Sequence, residues 1–174
     1  IGYKVTVVLE KTTKTPVSIL IHPGSPNDTK IFDEVLKELK RRRLIKPKDI
    51  IYFDKGYFSH KNYEIGINKY KIIPVIFPKK AFKINKFKDR MSYPLTIYKN
   101  KNEFGENKKL IEHLERLLLI KLENWKEYKP TRGIIEDFFK AAKGAFGLGK
   151  FHSYTDKSMY KNIYLCLLLT AIVV

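Results

Sequence analysis

Arg132, Glu136, Lys140 and Lys143 all lie within the run Arg132-Gly-Ile-Ile-Glu136-Asp-Phe-Phe-Lys140-Ala-Ala-Lys143. At about 100° per residue on an α-helix they share one stripe roughly 80° wide, a single carboxylate among cations. Asp137 points about 100° away from Glu136, so Glu136 is the acid that this stripe presents. A second acid, Asp54, follows the apolar run Ile50-Ile-Tyr-Phe53 and precedes Lys55-Gly56-Tyr57. An acid at the C-terminal edge of a buried strand, before a glycine turn, lies where open α/β sheets place ligand sites. Carboxylates from two separate elements could share Mg²⁺ (or Mn²⁺), which takes oxygen ligands and keeps several waters. Two such ions roughly 3.5–4 Å apart clamp the attacking and leaving oxygens of a phosphodiester. Arg132 and Lys143 would then hold nucleic-acid phosphates beside the metal. Each feature also has an ordinary reading. Glu–Lys pairs four apart merely support exposed helices, and Asp-Lys-Gly alone is a turn.

The elements that position these residues can be read from the hydrophobic pattern. Tyr3–Glu10 and Val17–Ile21 are β-rich runs joined by Lys11–Pro16, which predicts a hairpin. Asn27 or Asp28 caps a helix from Thr29 to Arg42, with Ile31, Phe32, Val35, Leu36 and Leu39 at helical spacing. Ile50–Phe53 reads as a short strand, Lys61–Asn68 as a helix and Ile72–Phe77 as a buried strand closed by Pro78. Leu110–Asn124 is a helix with an apolar face of Ile111, Leu114, Leu117, Leu118 and Leu122. Pro130 precedes the Arg132–Lys143 helix, whose Ile134, Ile135, Phe138 and Ala142 face a core. Gly144, Gly147 and Gly149 end it, and Lys157–Val174 forms one more helix. Between these elements, residues 79–109 hold ten cations against three acids and read as a basic insertion or long loop.

The charge agrees with a polyanionic partner. The chain carries +17 over 174 residues, with 35 Lys and Arg against 18 Asp and Glu. Self-repulsion on that scale is best tolerated beside nucleic acid, with an anionic membrane surface second. A Lys-rich composition also arises from AT-rich coding or a thermophilic source. Hydrophobic content of 44% argues for a folded chain and against a disordered basic tail. Cys166 is the lone cysteine, which excludes an intramolecular disulfide and a multi-Cys zinc site and suits a reducing cytoplasm. The apolar run Ile163–Val174 is 12 residues long, too short to span a bilayer. His22, His60, His113 and His152 share no ligand-like spacing.

Taken in order, these motifs resemble the catalytic domain of a DDE transposase of the insertion-sequence type, in the subgroup with a Tyr-Arg-Glu-Lys signature. Asp54-Lys-Gly-Tyr57 resembles the family's second-carboxylate motif. Arg132, Glu136 and Lys143 match the third-carboxylate signature in spacing, while Tyr128 stands one residue further upstream than that signature has it. Gly2-Tyr3-Lys4, Pro23-Gly24 and Asn27-Asp28 resemble the segment that follows the family's first strand. The resemblance implies an α/β, ribonuclease-H-like mixed sheet flanked by helices, spanning 1–174 as one domain with 79–109 as its insertion. It implies metal-dependent DNA cleavage and strand transfer, with Asp54 and Glu136 as metal ligands. Arg132, Lys140, Lys143 and Tyr128 are the expected DNA-binding residues.

The family's first carboxylate lies on a strand that would precede residue 1. The chain is therefore expected to be N-terminally truncated, lacking that strand and its Asp and inactive alone. Glu10 and Asp28 are the nearby acids that could stand in. Transposon ends and target DNA are the expected partners, with a homodimer in a synaptic complex as an option and no membrane. The setting would be a prokaryotic cytoplasm, with the protein at the nucleoid. The alternatives are a non-catalytic nucleic-acid-binding domain, such as a transposase remnant, and a metal-dependent nuclease.

Overall fold

The structure is a computed structural model that describes residues 2–77, 83–89, 107–151 and 155–174. Most of the expected insertion, 79–109, lies outside the described residues. In chain order the elements are β1 (Tyr3–Leu9), β2 (Pro16–Pro23), α1 (Asp28–Arg41), β3 (Ile50–Phe53), α2 (His60–Glu64, continued by a π-type turn over Ile65–Lys69), β4 (Ile73–Ile76), α3 (84–89), α4 (Asn107–Glu123), α5 (Lys129–Gly144) and α6 (Asp156–Val173). The class is α/β, with one antiparallel and one parallel strand pair and six helices among the described residues, consistent with a ribonuclease-H-like fold. The chain divides into two compact units, Ile1–Pro26 with Lys129–Val174, and Asn27–Tyr128.

In the first unit β1 and β2 pair antiparallel, with Tyr3 opposite Pro23 and Val8 opposite Ser18. Strand alternation sends Tyr3, Val5, Val7 and Leu9 to one face. There, with Ile19 and Ile21 of β2, they pack on Phe138, Ala142, Ile163, Cys166 and Leu167 from α5 and α6. Glu10 closes the hairpin. Its amide donates to the Thr15 carbonyl at 2.9 Å, and its carboxylate accepts the Thr13 amide. Backbone N–H donors at Thr13 and Thr12 hold the Glu10 carboxyl down at about 2. These bonds engage the acid in its turn. α6 starts where the Thr155 hydroxyl accepts the Ser158 amide at 3.2 Å.

In the second unit β3 and β4 run parallel, Ile50 opposite Ile73 and Phe53 opposite Ile76. Parallel strands need a crossover, and α2 with its π-type turn supplies it. The expected single helix over Lys61–Asn68 is therefore two pieces, His60–Glu64 and a wider turn over Ile65–Lys69. Gly66 in that turn lies against Pro74, where a Cβ would come within 2.6 Å of the proline ring, so the turn can approach β4 only with glycine there. All four residues of β4 are buried, as expected of a strand covered on both faces. α1 contributes Ile31, Phe32, Val35, Leu36 and Leu39 to the core, and α4 contributes Ile111, Leu114, Leu118 and Leu122. Asn27, not Asp28, is the cap of α1: its Oδ1 accepts the Thr29 amide at 3.1 Å. Among the described residues no helix is long and apolar enough to cross a membrane.

Candidate functional site

Asp54 is placed by what surrounds its backbone. Phe53, just before it, is 6% exposed, and its carbonyl accepts the Phe77 amide at 3.0 Å, extending the β3–β4 ladder to the acid. Asp54 itself is exposed and extended, at φ −65° and ψ 159°. Its carbonyl then accepts the Tyr57 amide at 3.0 Å, closing a one-turn 3₁₀ helix over Lys55–Tyr57. The Tyr57 ring packs on Phe53 at 5.3 Å and on Phe32 of α1 at 6.3 Å between centroids. Gly56 sits beneath Asp28 of α1: a Cβ there would lie 2.2 Å from Asp28 Oδ2. Asp28 is thus seated on the Asp54-Lys-Gly-Tyr turn within the same unit.

The turn is closed from a second side by Asn62 of α2, which is 3% exposed. Its Nδ2 donates to the Tyr57 carbonyl at 2.8 Å and to the Thr29 carbonyl at 3.3 Å. Sequence reasoning missed this residue. The available signal was a carboxamide four residues before Gly66, on the buried side of a short helix.

Tyr128 lies in a 3₁₀ turn, Trp125–Tyr128, that ends the same unit. Its ring meets Tyr52 of β3 at 5.5 Å. Its hydroxyl accepts Lys121 Nζ at 3.1 Å, and that ammonium lies 4.8 Å from the ring centroid. The hydrogen bond to Tyr128 holds the Lys121 ammonium above its ordinary range, while burial raises the Tyr52 phenol. Tyr52 and Asp54 are two apart on an extended backbone, so they point to the same side.

Glu136 lies in the other unit, on α5. The helix begins at Lys129, so Pro130 occupies its first turn instead of preceding it. That position is tolerant of proline because the first-turn N–H groups have no intrahelical partner. Phe138 and Ala142 are fully buried and anchor the helix, while Ile134 and Ile135 are half-buried. The opposite side carries the expected stripe. Glu136, Lys140 and Lys143 are exposed, and Arg132 Nε meets Glu136 Oε1 at 2.9 Å. An exposed pair of this kind contributes little to stability. It leaves the Glu136 side chain 59% exposed and thus open to a ligand.

Asp54 and Glu136 are exposed carboxylates, one in each unit, and carboxylate oxygen is the donor type that a hard divalent ion takes. Among the described residues no three His, Cys, Asp or Glu gather into a group that could hold a metal ion. The family model described as "Transposase DDE domain" matches residues 1–172.

The chain belongs to the DDE transposase family.

Membership associates this transposase domain with DNA transposition and an enzyme family, in agreement with the resemblance read from its motifs. Comparison with curated proteins and with solved structures finds no match.

Proposed function

We propose that this transposase domain cleaves DNA at transposon ends and transfers the strand to a target, with Mg²⁺ or Mn²⁺ held by Asp54 and Glu136. The observation that carries the reading is the family match over 1–172, in a chain whose two motif acids both stand exposed. A bound divalent ion would stabilise the charge that develops on phosphodiester oxygens. Everything else falls to the chain's own residues. Arg132 and Lys143 bind DNA phosphates, Arg132 by its planar fork and Lys143 as a point charge. Lys140 extends the same cationic face, and Tyr128 offers its ring beside Tyr52 to the DNA.

In this reading 1–174 acts as one catalytic domain of the Tyr-Arg-Glu-Lys subgroup, with 79–109 inserted. A further carboxylate completes the acid set that the family resemblance implies. Synapsis of two transposon ends would bring two copies together on DNA.

The test is nicking of supercoiled DNA and cleavage of transposon-end duplexes in Mg²⁺ and Mn²⁺ by the full encoded polypeptide that contains this chain. Asp54→Asn and Glu136→Gln are each expected to lower the cleavage rate at least about 100-fold, because the acids fix the in-line geometry. DNA affinity should change little. Cleavage that survives Glu136→Gln refutes the assignment. Salt-sensitive DNA binding without any metal-dependent cleavage would establish the non-catalytic alternative.

A further inference from the structure

We infer that Asn62 is a positioning residue for Asp54, an inference that rests on the reading of Asp54 as a metal ligand. The Asp54 turn is fixed at three points. At its start, the Phe53 carbonyl is held by the Phe77 amide at 3.0 Å. In its middle, Gly56 lies against the Asp28 side chain. At its end, the Tyr57 carbonyl accepts Asn62 Nδ2 at 2.8 Å. The same nitrogen donates to the Thr29 carbonyl in the first turn of α1 at 3.3 Å. One buried carboxamide therefore ties the end of the turn to the helix that carries Asp28.

The first point holds the turn to β4 by a ladder bond, and the second sets it against the Asp28 side chain. Asn62 links it by hydrogen bond to α1. Burying a carboxamide is costly unless its donors are used, and here the donors bridge two backbone segments distant in sequence. Asp54 follows β3 directly and opens this turn, so the turn's backbone carries its carboxylate. A metal-holding carboxylate needs placement to within about 0.5 Å. Residues that orient ligands in this way typically change metal affinity by about 10–100-fold when replaced.

The experiment uses the full encoded polypeptide that contains this chain and two readouts, Mn²⁺ binding followed by EPR and amide exchange at Tyr57 followed by NMR. Asn62→Leu keeps the branched shape and removes both donors, while Asn62→Ser keeps one donor. Asn62→Leu is expected to weaken Mn²⁺ binding at least about 10-fold and to speed exchange of the Tyr57 amide, with the β3–β4 amides still protected. Asn62→Ser should fall between it and the unaltered chain in both readouts, and it carries the test if the leucine variant does not fold. Asp54→Ala should abolish Mn²⁺ binding without changing Tyr57 exchange. If Asp54→Ala abolishes binding while both Asn62 variants retain full affinity, the positioning role is overturned and the metal reading stands. If the full polypeptide binds no Mn²⁺, or binds it equally after Asp54→Ala, the metal reading itself fails and the inference falls with it.

Discussion

Gly56→Ala tests the seating of Asp28 on the Asp54 turn, because the sign of its effect should depend on residue 28. Gly56 lies in a right-handed 3₁₀ turn, a backbone that alanine adopts without strain. By unfolded-state entropy alone the substitution would stabilise by about 0.4–1 kcal/mol. The new methyl, however, would stand 2.2 Å from Asp28 Oδ2 and 3.0 Å from its Cγ. Such overpacking costs about 1–3 kcal/mol, so the net expectation is destabilisation by about 1–2 kcal/mol. In an Asp28→Ala background the nearest remaining Asp28 atom of those contacts is Cβ at 3.3 Å, a distance that a shift of a few tenths of an ångström relieves. There Gly56→Ala should be neutral or stabilising by about 0.5 kcal/mol. Asp28→Ala alone also removes a carboxylate from the first turn of α1, costing about 0.3–1 kcal/mol, but this cancels in the cycle. The coupling energy should be about 1–2.5 kcal/mol. Urea denaturation of the four proteins, followed by circular dichroism, measures it. A coupling below about 0.5 kcal/mol would refute the contact.

Other perturbations address both units. Phe138→Ala empties a fully buried site beneath the β1–β2 hairpin and should cost about 3–5 kcal/mol in denaturant unfolding; a loss below about 1 kcal/mol would show that α5 does not pack there. Lys140→Ala and Lys143→Ala should each weaken DNA binding and lower the slope of log affinity against log salt by about 1. An unchanged slope places that lysine off the DNA. Burial, with Glu112 adding repulsion, raises the Glu115 carboxyl from 4.5 to about 7. A raised carboxyl contributes stability that is fully present below pH 4.5 and lost as pH rises through about 7. Glu115→Gln should flatten that decline and stabilise the protein above pH 7 by on the order of 1 kcal/mol, allowing for the part of the carboxyl still in water. Parallel melting curves for the two proteins across this range would contradict it.

Much of the fold was legible because local pattern and tertiary role agree. The apolar stripe of α1 is the buried set expected from its spacing, and Ile50–Phe53 is β3 as read. The exposed row of Glu136, Lys140 and Lys143 follows from helical periodicity once Phe138 and Ala142 are buried. The misreadings lie where long-range packing overrides local preference. The π-type turn at Ile65–Lys69 widens where Gly66 meets Pro74, a contact between residues that no periodicity connects. Pro130 enters α5 because first-turn N–H groups need no partner, which moves the helix start upstream. Half-buried Ile134 and Ile135 show that helical phase sets a direction but not the amount of cover.

The sequence by itself determined the family and singled out the candidate acids and cations, because residue type and spacing along a strand end or helix stripe are local properties. It could not decide what Glu10, Asp28 and Asn62 do. Glu10 is drawn into its hairpin by backbone amides, Asp28 is pressed onto a glycine of the Asp54 turn, and Asn62 is buried between two carbonyls. Asp28 and Asn62 act through residues some 28 and 33 positions away in the chain, and only tertiary packing brings such groups within bonding distance.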